Sequence, residues 1–239
     1  MTSISPITRP HLGLLVAEPW RAGLELLSHG LAHRAAAPRG DGHAVVLFPG
    51  LGTDGKAMRP LHGLCRSLGL LPLDWGRGFN RGPAGDVEAW VAALADDVAA
   101  ALDREGSPQR ASLIGWSLGG LYAREVAKRI GPRVRQVITL GTPFTAGADH
   151  TRVGWLFRAL SSAAPLPREF AARLRQPPPV ATTSIYSRSD GIVAWQTCIH
   201  DAHQRADVHD IEVSGSHIGM GWNPQVLRVV QERLARPAG

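Results

Sequence analysis

The sequence predicts an α/β protein: a mainly parallel sheet of about six strands, flanked by helices. Three observations carry this. Short unbroken apolar runs, such as Ala44-Val45-Val46-Leu47-Phe48, recur along the chain, as strands buried on both faces require. Amphipathic stretches at helical spacing alternate with those runs. Each run also empties into a glycine-rich or irregular loop, as the carboxyl ends of parallel strands do.

Composition narrows the class. The 239 residues suit one such domain. The net charge is +6, and Lys56 and Lys128 are the only lysines, so nearly all the positive charge is arginine. The arginines are scattered, with no dense run and no interleaved aromatics. That pattern fits a solvated surface, argues against nucleic-acid binding, and leaves room for weak attraction to anionic lipid. Cys65 and Cys198 are the only cysteines, which excludes a disulfide framework. Neither has metal-ligand spacing, so two reduced, buried thiols are expected. No run approaches the ~18 apolar residues that span a bilayer. The short apolar run at 12–17 meets Glu18 at once, unlike a secretory signal. A cytoplasmic location is expected.

In chain order, residues 1–10 read as a loose tail. From 11 to 37 the pattern is helical, with Leu15, Trp20, Leu24, Leu27 and Leu31 near one face. This face is expected to pack on the domain, the alternative being a helix lying on a membrane. Pro19 is expected to split the helix, since proline is tolerated at a helix start but not inside. Residues 1–43 thus form an N-terminal tail and helix, and 44–239 the main domain. The strand at 44–48 ends in Pro49-Gly50-Leu51-Gly52-Thr53-Asp54-Gly55. This loop lacks phosphate-loop spacing; it offers a backbone N–H, that of Leu51. A helix is expected at 58–68 with Leu61, Leu64, Cys65 and Leu68 inward, then a strand at 70–74 and an irregular loop at 75–83. The helix at 86–104 has Asp86 as N-cap and Trp90, Leu94, Val98 and Leu102 inward. A strand follows at 134–140. Residues 145–179 leave the alternation, with helical pieces near 152–163 and 168–174, and are expected to form a cap over the carboxyl edge of the sheet. Strands at 182–187 and 208–213 and a helix at 224–234 complete the chain.

The chemistry centres on Gly115-Trp116-Ser117-Leu118-Gly119-Gly120. The apolar run before it reads as a strand and the stretch after it as a helix. A strand that turns at once into a helix passes through a tight corner, and glycines two residues to either side remove the Cβ atoms that would clash. A serine at that corner has an exposed hydroxyl with a helix N-terminus behind it. A serine hydroxyl is a weak nucleophile near neutral pH and needs a base, which needs a third group to fix its tautomer. Of ten histidines, His217 alone lies in a glycine-serine loop directly after a late strand. Asp190 ends the preceding strand. Both therefore fall at the edge where Ser117 is exposed. Asp201, Asp207 and Asp210 are alternatives for the acid, and His200, His203 and His209 for the base. Their spacing matches no metal-binding motif.

Phe48-Pro49-Gly50-Leu51-Gly52, the Ser117 corner, Leu140-Gly141-Thr142-Pro143, Ser189-Asp190-Gly191-Ile192-Val193 and Gly215-Ser216-His217 together resemble the α/β-hydrolases, near bacterial lipases and carboxylesterases. The resemblance covers about 44–234. It implies an α/β-hydrolase fold, with Ser117 as nucleophile, Asp190 as acid and His217 as base. It also implies an oxyanion hole from the N–H groups of Leu51 and Leu118. The first two antiparallel strands of the full family sheet are absent from the sequence, replaced by the N-terminal helix, and Pro49 stands where a histidine is common. The expected activity is hydrolysis of a small-molecule ester or lipid through an acyl-enzyme, with no metal or organic cofactor. Trp155, Leu156, Phe157 and Leu160 of the cap, with Trp75, Trp116 and Phe144, are expected to line an apolar acyl pocket. An acyltransferase with the same three residues and a silent binding protein of the same fold are the alternatives.

Overall fold

The computed structural model describes residues 7–31, 40–106, 110–145, 168–200 and 205–236. The cap helix expected near 152–163, with Trp155, Leu156, Phe157 and Leu160, lies outside the described residues, as do Asp201 and His203.

Strands β1 (Ala44–Phe48), β2 (Leu71–Asp74), β3 (Ala111–Trp116), β4 (Val134–Leu140), β5 (Ala181–Tyr186) and β6 (Val208–Glu212) form one sheet in the order β2-β1-β3-β4-β5-β6. Every pairing is parallel. Side chains alternate between faces along a strand, so each strand feeds two cores. Val46, Phe48, Leu113 and Val137 meet Leu94 and Val98 of α3 (Val87–Arg104), Leu121 and Val126 of α4 (Leu118–Arg129) and Phe170 of α5 (Arg168–Arg175). Val45, Leu47, Ile114 and Ile138 meet Leu61 and Leu64 of α2 (Arg59–Ser67) and Val226 and Val230 of α6 (Pro224–Leu234). Each such fully buried side chain stabilises by about 1.5–3 kcal/mol. The helix ends follow their local sequence. Asp86 accepts from the Ala89 N–H at 2.8 Å, and Asn223 caps α6 ahead of Pro224 at its first turn.

The sheet order reverses between β1 and β3, whose successors run to opposite sides. In such sheets the crevice for a ligand opens outside the carboxyl ends of those two strands. Pro49 follows β1 there, and Ser117 follows β3.

The N-terminal helix departs from expectation twice. It is one continuous helix, α1 (Leu12–Leu31), and it runs through Pro19. Proline deletes one helical N–H, but the remaining turns are held by packing against α6 and the turn at Ile218–Gly221. The face is also reversed. Leu15, Leu24 and Leu27 are exposed and Trp20 is 75% exposed, while Glu18 and Ala22 are buried. The side of α1 that packs on the domain meets polar loop backbone rather than an apolar surface. A Cβ on Gly191 would lie 2.5 Å from the Leu14 carbonyl, which shows how closely helix and loop approach. Among the described residues, no helix is long and apolar enough to cross a membrane.

Candidate active site

Ser117 has φ 53° and ψ −119°, the one positive φ outside glycine among the described residues. A non-glycine residue there is strained by of order 1–3 kcal/mol and needs support. The support is local. The Ser117 N–H donates to the Leu140 carbonyl at 2.8 Å, and Thr142 Oγ1 donates to the Ser117 carbonyl at 3.0 Å. The glycines let α4 lie directly on the sheet. A Cβ on Gly115 would stand 2.4 Å from the Gly119 carbonyl oxygen, and one on Gly119 would stand 2.3 Å from the Phe48 carbonyl oxygen. One on Gly120 would overlap Thr142 Oγ1.

The three residues expected to act together meet at this corner. The Ser117 hydroxyl donates to His217 Nε2 across 3.0 Å, and His217 Nδ1–H donates to Asp190 Oδ2 across 2.6 Å. The carboxylate selects the tautomer with the proton on Nδ1. Asp190 is itself fixed, since its Oδ1 accepts from the Ile192 and Val193 N–H groups at 2.8 and 2.7 Å. All three side chains are buried. Burial alone pushes the His217 imidazole down, but the charge and hydrogen bond of Asp190, with Glu18 adding to them, leave its pKa above 6.5.

The loop after β1 lies against the serine. A Cβ on Gly50 would sit 3.6 Å from Ser117 Cβ and 3.2 Å from the Trp116 ring. Among the described residues, neither the Leu51 nor the Leu118 amide donates to a protein acceptor. Asn80 holds the loop in place. Its Nδ2 donates to the Pro49 carbonyl at 2.8 Å, and its backbone exchanges 2.8 Å bonds with Gly52 and Thr53.

The rivals are engaged elsewhere. His200 lies 2.7 Å from Asp210 and 2.8 Å from the buried Arg124 guanidinium. His209 stands on β6, and Asp207 pairs with Arg205. No group of three metal-ligating side chains occurs among the described residues. Of the expected pocket residues, Trp116 touches the site, its Nε1 donating to the His217 carbonyl at 3.1 Å. Trp75 stacks on Tyr122 at 5.9 Å, and the Phe144 ring has the Arg124 guanidinium 3.8 Å above it.

Several supporting residues escaped sequence reasoning. Asn80 sits in a loop of glycines and arginines with no pattern around it. Glu18 and Glu25 do carry a signal: two acids seven residues apart, hence on one side of a helix whose other side is leucine. Glu18 accepts from the N–H groups of Gly191, His217 and Ile218, and Glu25 accepts from the N–H and hydroxyl of Ser216.

Known proteins agree with this architecture. Over 140 residues, 57% of the chain, it is 29% identical to a pimeloyl-[acyl-carrier protein] methyl ester esterase of Shewanella woodyi. Over 110 residues, 43% of the chain, it is 36% identical to the protein of that name from Aeromonas hydrophila subsp. hydrophila. These matches span 48% and 39% of the relatives' own lengths, less than half. Among solved structures, lipase B of Aspergillus fumigatus superposes with a TM-score of 0.60 at 17% identity, over 87% of this chain and 57% of that one. An α/β superfamily hydrolase of Oenococcus oeni PSU-1 gives 0.60 at 12% identity, over 82% and 92%. At such identities the likeness is one of fold. The family model described as the alpha/beta hydrolase family matches residues 45–236, and the chain belongs to that family.

Proposed function

We propose that this protein is a serine hydrolase of carboxylic esters carrying an apolar acyl chain, acting through an acyl-enzyme on Ser117. The observation that carries the reading is the continuous relay from Ser117 through His217 to Asp190, set at a strained corner beside two free amides. The esterase names of the relatives support the reaction class.

The proposed steps use that geometry. Ser117 Oγ bonds to the ester carbonyl carbon while its proton passes to His217 Nε2. The carbonyl oxygen becomes an oxyanion, held by the N–H groups of Leu51, in the loop after β1, and of Leu118, at the start of α4. Asp190 holds the ring and stabilises the imidazolium. The carbon–oxygen bond to the alcohol breaks, and Nε2 returns the proton to the departing oxygen. Water then attacks the acyl-enzyme with Nε2 as base, and the acid leaves with Ser117 restored. Trp116, with the cap residues Trp155, Leu156, Phe157 and Leu160, is the proposed apolar lining for the acyl chain, while Trp75 and Phe144 are packed in the core beside α4. A cytoplasmic setting accompanies this reading: Cys65 and Cys198 are buried free thiols, and burial pushes Cys65 up to about 12.

Release of p-nitrophenol from short-, medium- and long-chain p-nitrophenyl esters tests it, with Ser117→Ala alongside. Turnover with a chain-length optimum, lost in the variant, is expected. Labelling by a fluorophosphonate without turnover would mean an acyltransferase awaiting its acceptor. Neither labelling nor turnover would overturn the hydrolase reading in favour of a silent binding protein.

A further inference from the structure

We propose that Glu18 of α1 is a positioning residue for this site, a buried carboxylate that locks the loop of the acid to the loop of the base. The proposal rests on the reading of Ser117, His217 and Asp190 as the reacting set.

Glu18 is 1% exposed. Its Oε1 accepts from the Gly191 N–H at 2.8 Å and the His217 N–H at 3.0 Å, and its Oε2 accepts from the Ile218 N–H at 3.0 Å. Gly191 follows Asp190 directly, and the other two amides belong to the base and its neighbour. One side chain therefore ties together two loops that come from different strands. A carboxylate is the group that can do this. It is acceptor-only, and its two oxygens take several donors at once. Bonds from amides to a charged acceptor are stronger than neutral ones.

The rest of α1's packed side serves the same loops. Arg21 lies 3.8 Å from Glu18 Oε1 and donates to the Ser189 carbonyl and hydroxyl at 2.5 and 2.7 Å, just before Asp190. Glu25 takes the Ser216 N–H at 2.7 Å and its hydroxyl at 2.8 Å, just before His217. Trp222 Nε1 donates to the Ala22 carbonyl at 2.9 Å. Glycine is required where the helix backbone comes closest: a Cβ on Gly191 would stand 2.5 Å from the Leu14 carbonyl. The residues flanking both acid and base are thus held by a helix that precedes the sheet in sequence.

The charge acts as well as the geometry. The groups facing His217 and Glu18 are Asp190 on the β5 loop, Arg21 and Glu25 on α1, and the Cys198 thiol near Asp190, which burial keeps neutral. Glu18 favours the imidazolium, so removing its charge lowers the pKa of His217. The acid limb of kcat/KM then moves to lower pH.

The test compares wild type, Glu18→Gln and Glu18→Asp for folding by circular dichroism, for kcat and KM, and for the pH profile of kcat/KM. Glu18→Gln should lower kcat by about ten- to a hundredfold with KM within about twofold, because the relay is misplaced rather than the pocket. Its acid limb should shift down. Glu18→Asp keeps the charge but stands one methylene short of the amides. Its acid limb should stay near wild type while kcat falls. A folded Glu18→Gln with wild-type kcat and acid limb would overturn the proposal. So would Glu18→Asp with wild-type kcat, which decides the matter if Glu18→Gln does not fold. Titration of the His217 imidazole by NMR separates this from the esterase reading. The pKa should fall in Glu18→Gln whether or not any ester is turned over, whereas an inert wild type would count against the hydrolase reading alone.

Discussion

The sheet carries a Ser-His-Asp arrangement at each end. At the carboxyl edge stand Ser117, His217 and Asp190, with contacts of 3.0 and 2.6 Å. At the amino edge His43 Nε2 lies 2.8 Å from Ser112 Oγ, and His43 Nδ1 lies 2.5 Å from Asp41 Oδ1. By those distances the second set is the tighter relay. Its surroundings make it structural. Ser112 is an ordinary residue of β3, with no helix N-terminus beside it. Its oxygen already accepts from Gln136 Nε2 at 3.1 Å, and Gln136 also donates to the Arg233 carbonyl, so the cluster sews β3 and β4 to the end of α6. Asp41 is pinned by Arg135. The two histidines are also tuned in opposite directions. Burial, with Arg135 nearby, leaves His43 below 6.5, whereas Asp190 and Glu18 overcome burial and hold His217 above it. Three atoms in line do not make a nucleophile. The strained strand-to-helix corner sets Ser117 apart from Ser112, which lies within a strand.

The largest expected difference is between the two serines. Ser117→Ala should reduce kcat for ester hydrolysis by on the order of 10⁴–10⁶-fold. Ser112→Ala should leave kcat within about twofold. It should instead cost about 1–3 kcal/mol of stability, read by urea unfolding, because Gln136 and His43 lose a buried partner. Loss of turnover in a folded Ser112→Ala would break the comparison. The acids come next. Asp190→Asn should flip the His217 tautomer and lower kcat by about 10⁴-fold with little change in KM. Asp41→Asn, at a 43% exposed side chain, should leave kcat unchanged.

The smallest effects concern pH. Because His217 must be neutral to accept a proton, kcat/KM should rise with pH through a midpoint above 6.5. The same two histidines should pull stability in opposite directions. His217, raised in the fold, stabilises below pH 6.5, and that contribution is lost as pH rises through its folded pKa. His43, lowered in the fold, contributes above pH 6.5 and loses that contribution as pH falls towards its folded pKa. Urea midpoints of His43→Gln and His217→Gln between pH 5 and 8 should therefore diverge from wild type with opposite slopes. Parallel slopes would mean that the two clusters are not oppositely tuned.

Much of this was legible in the chain itself, and the reason is local. Apolar runs of strand length, helical spacing, and glycines on either side of Ser117 each express a constraint acting within a few residues. Hence β1, β3, β4 and α6 stand where the pattern puts them, and Ser117 sits at a strand-to-helix corner. The loop positions of Asp190 and His217 followed once the strands were recognised as parallel.

What only the tertiary structure decided depends on residues far apart. The approach of His217 to Ser117 joins positions a hundred residues apart, and no periodicity encodes it. The orientation of α1 is the plainest case. Its leucines outnumber its acids, so hydrophobic patterning turns the wrong face inward. The partner surface consists of loop amides, and a buried amide needs an acceptor more than a leucine needs cover. Glu18 therefore faces in and Trp20 faces out. Asn80 at the loop after β1 and the Ser112 cluster at the amino edge belong to the same group. Each is set by which polar atoms the fold leaves to be satisfied, and that is known only after the strands have been laid side by side.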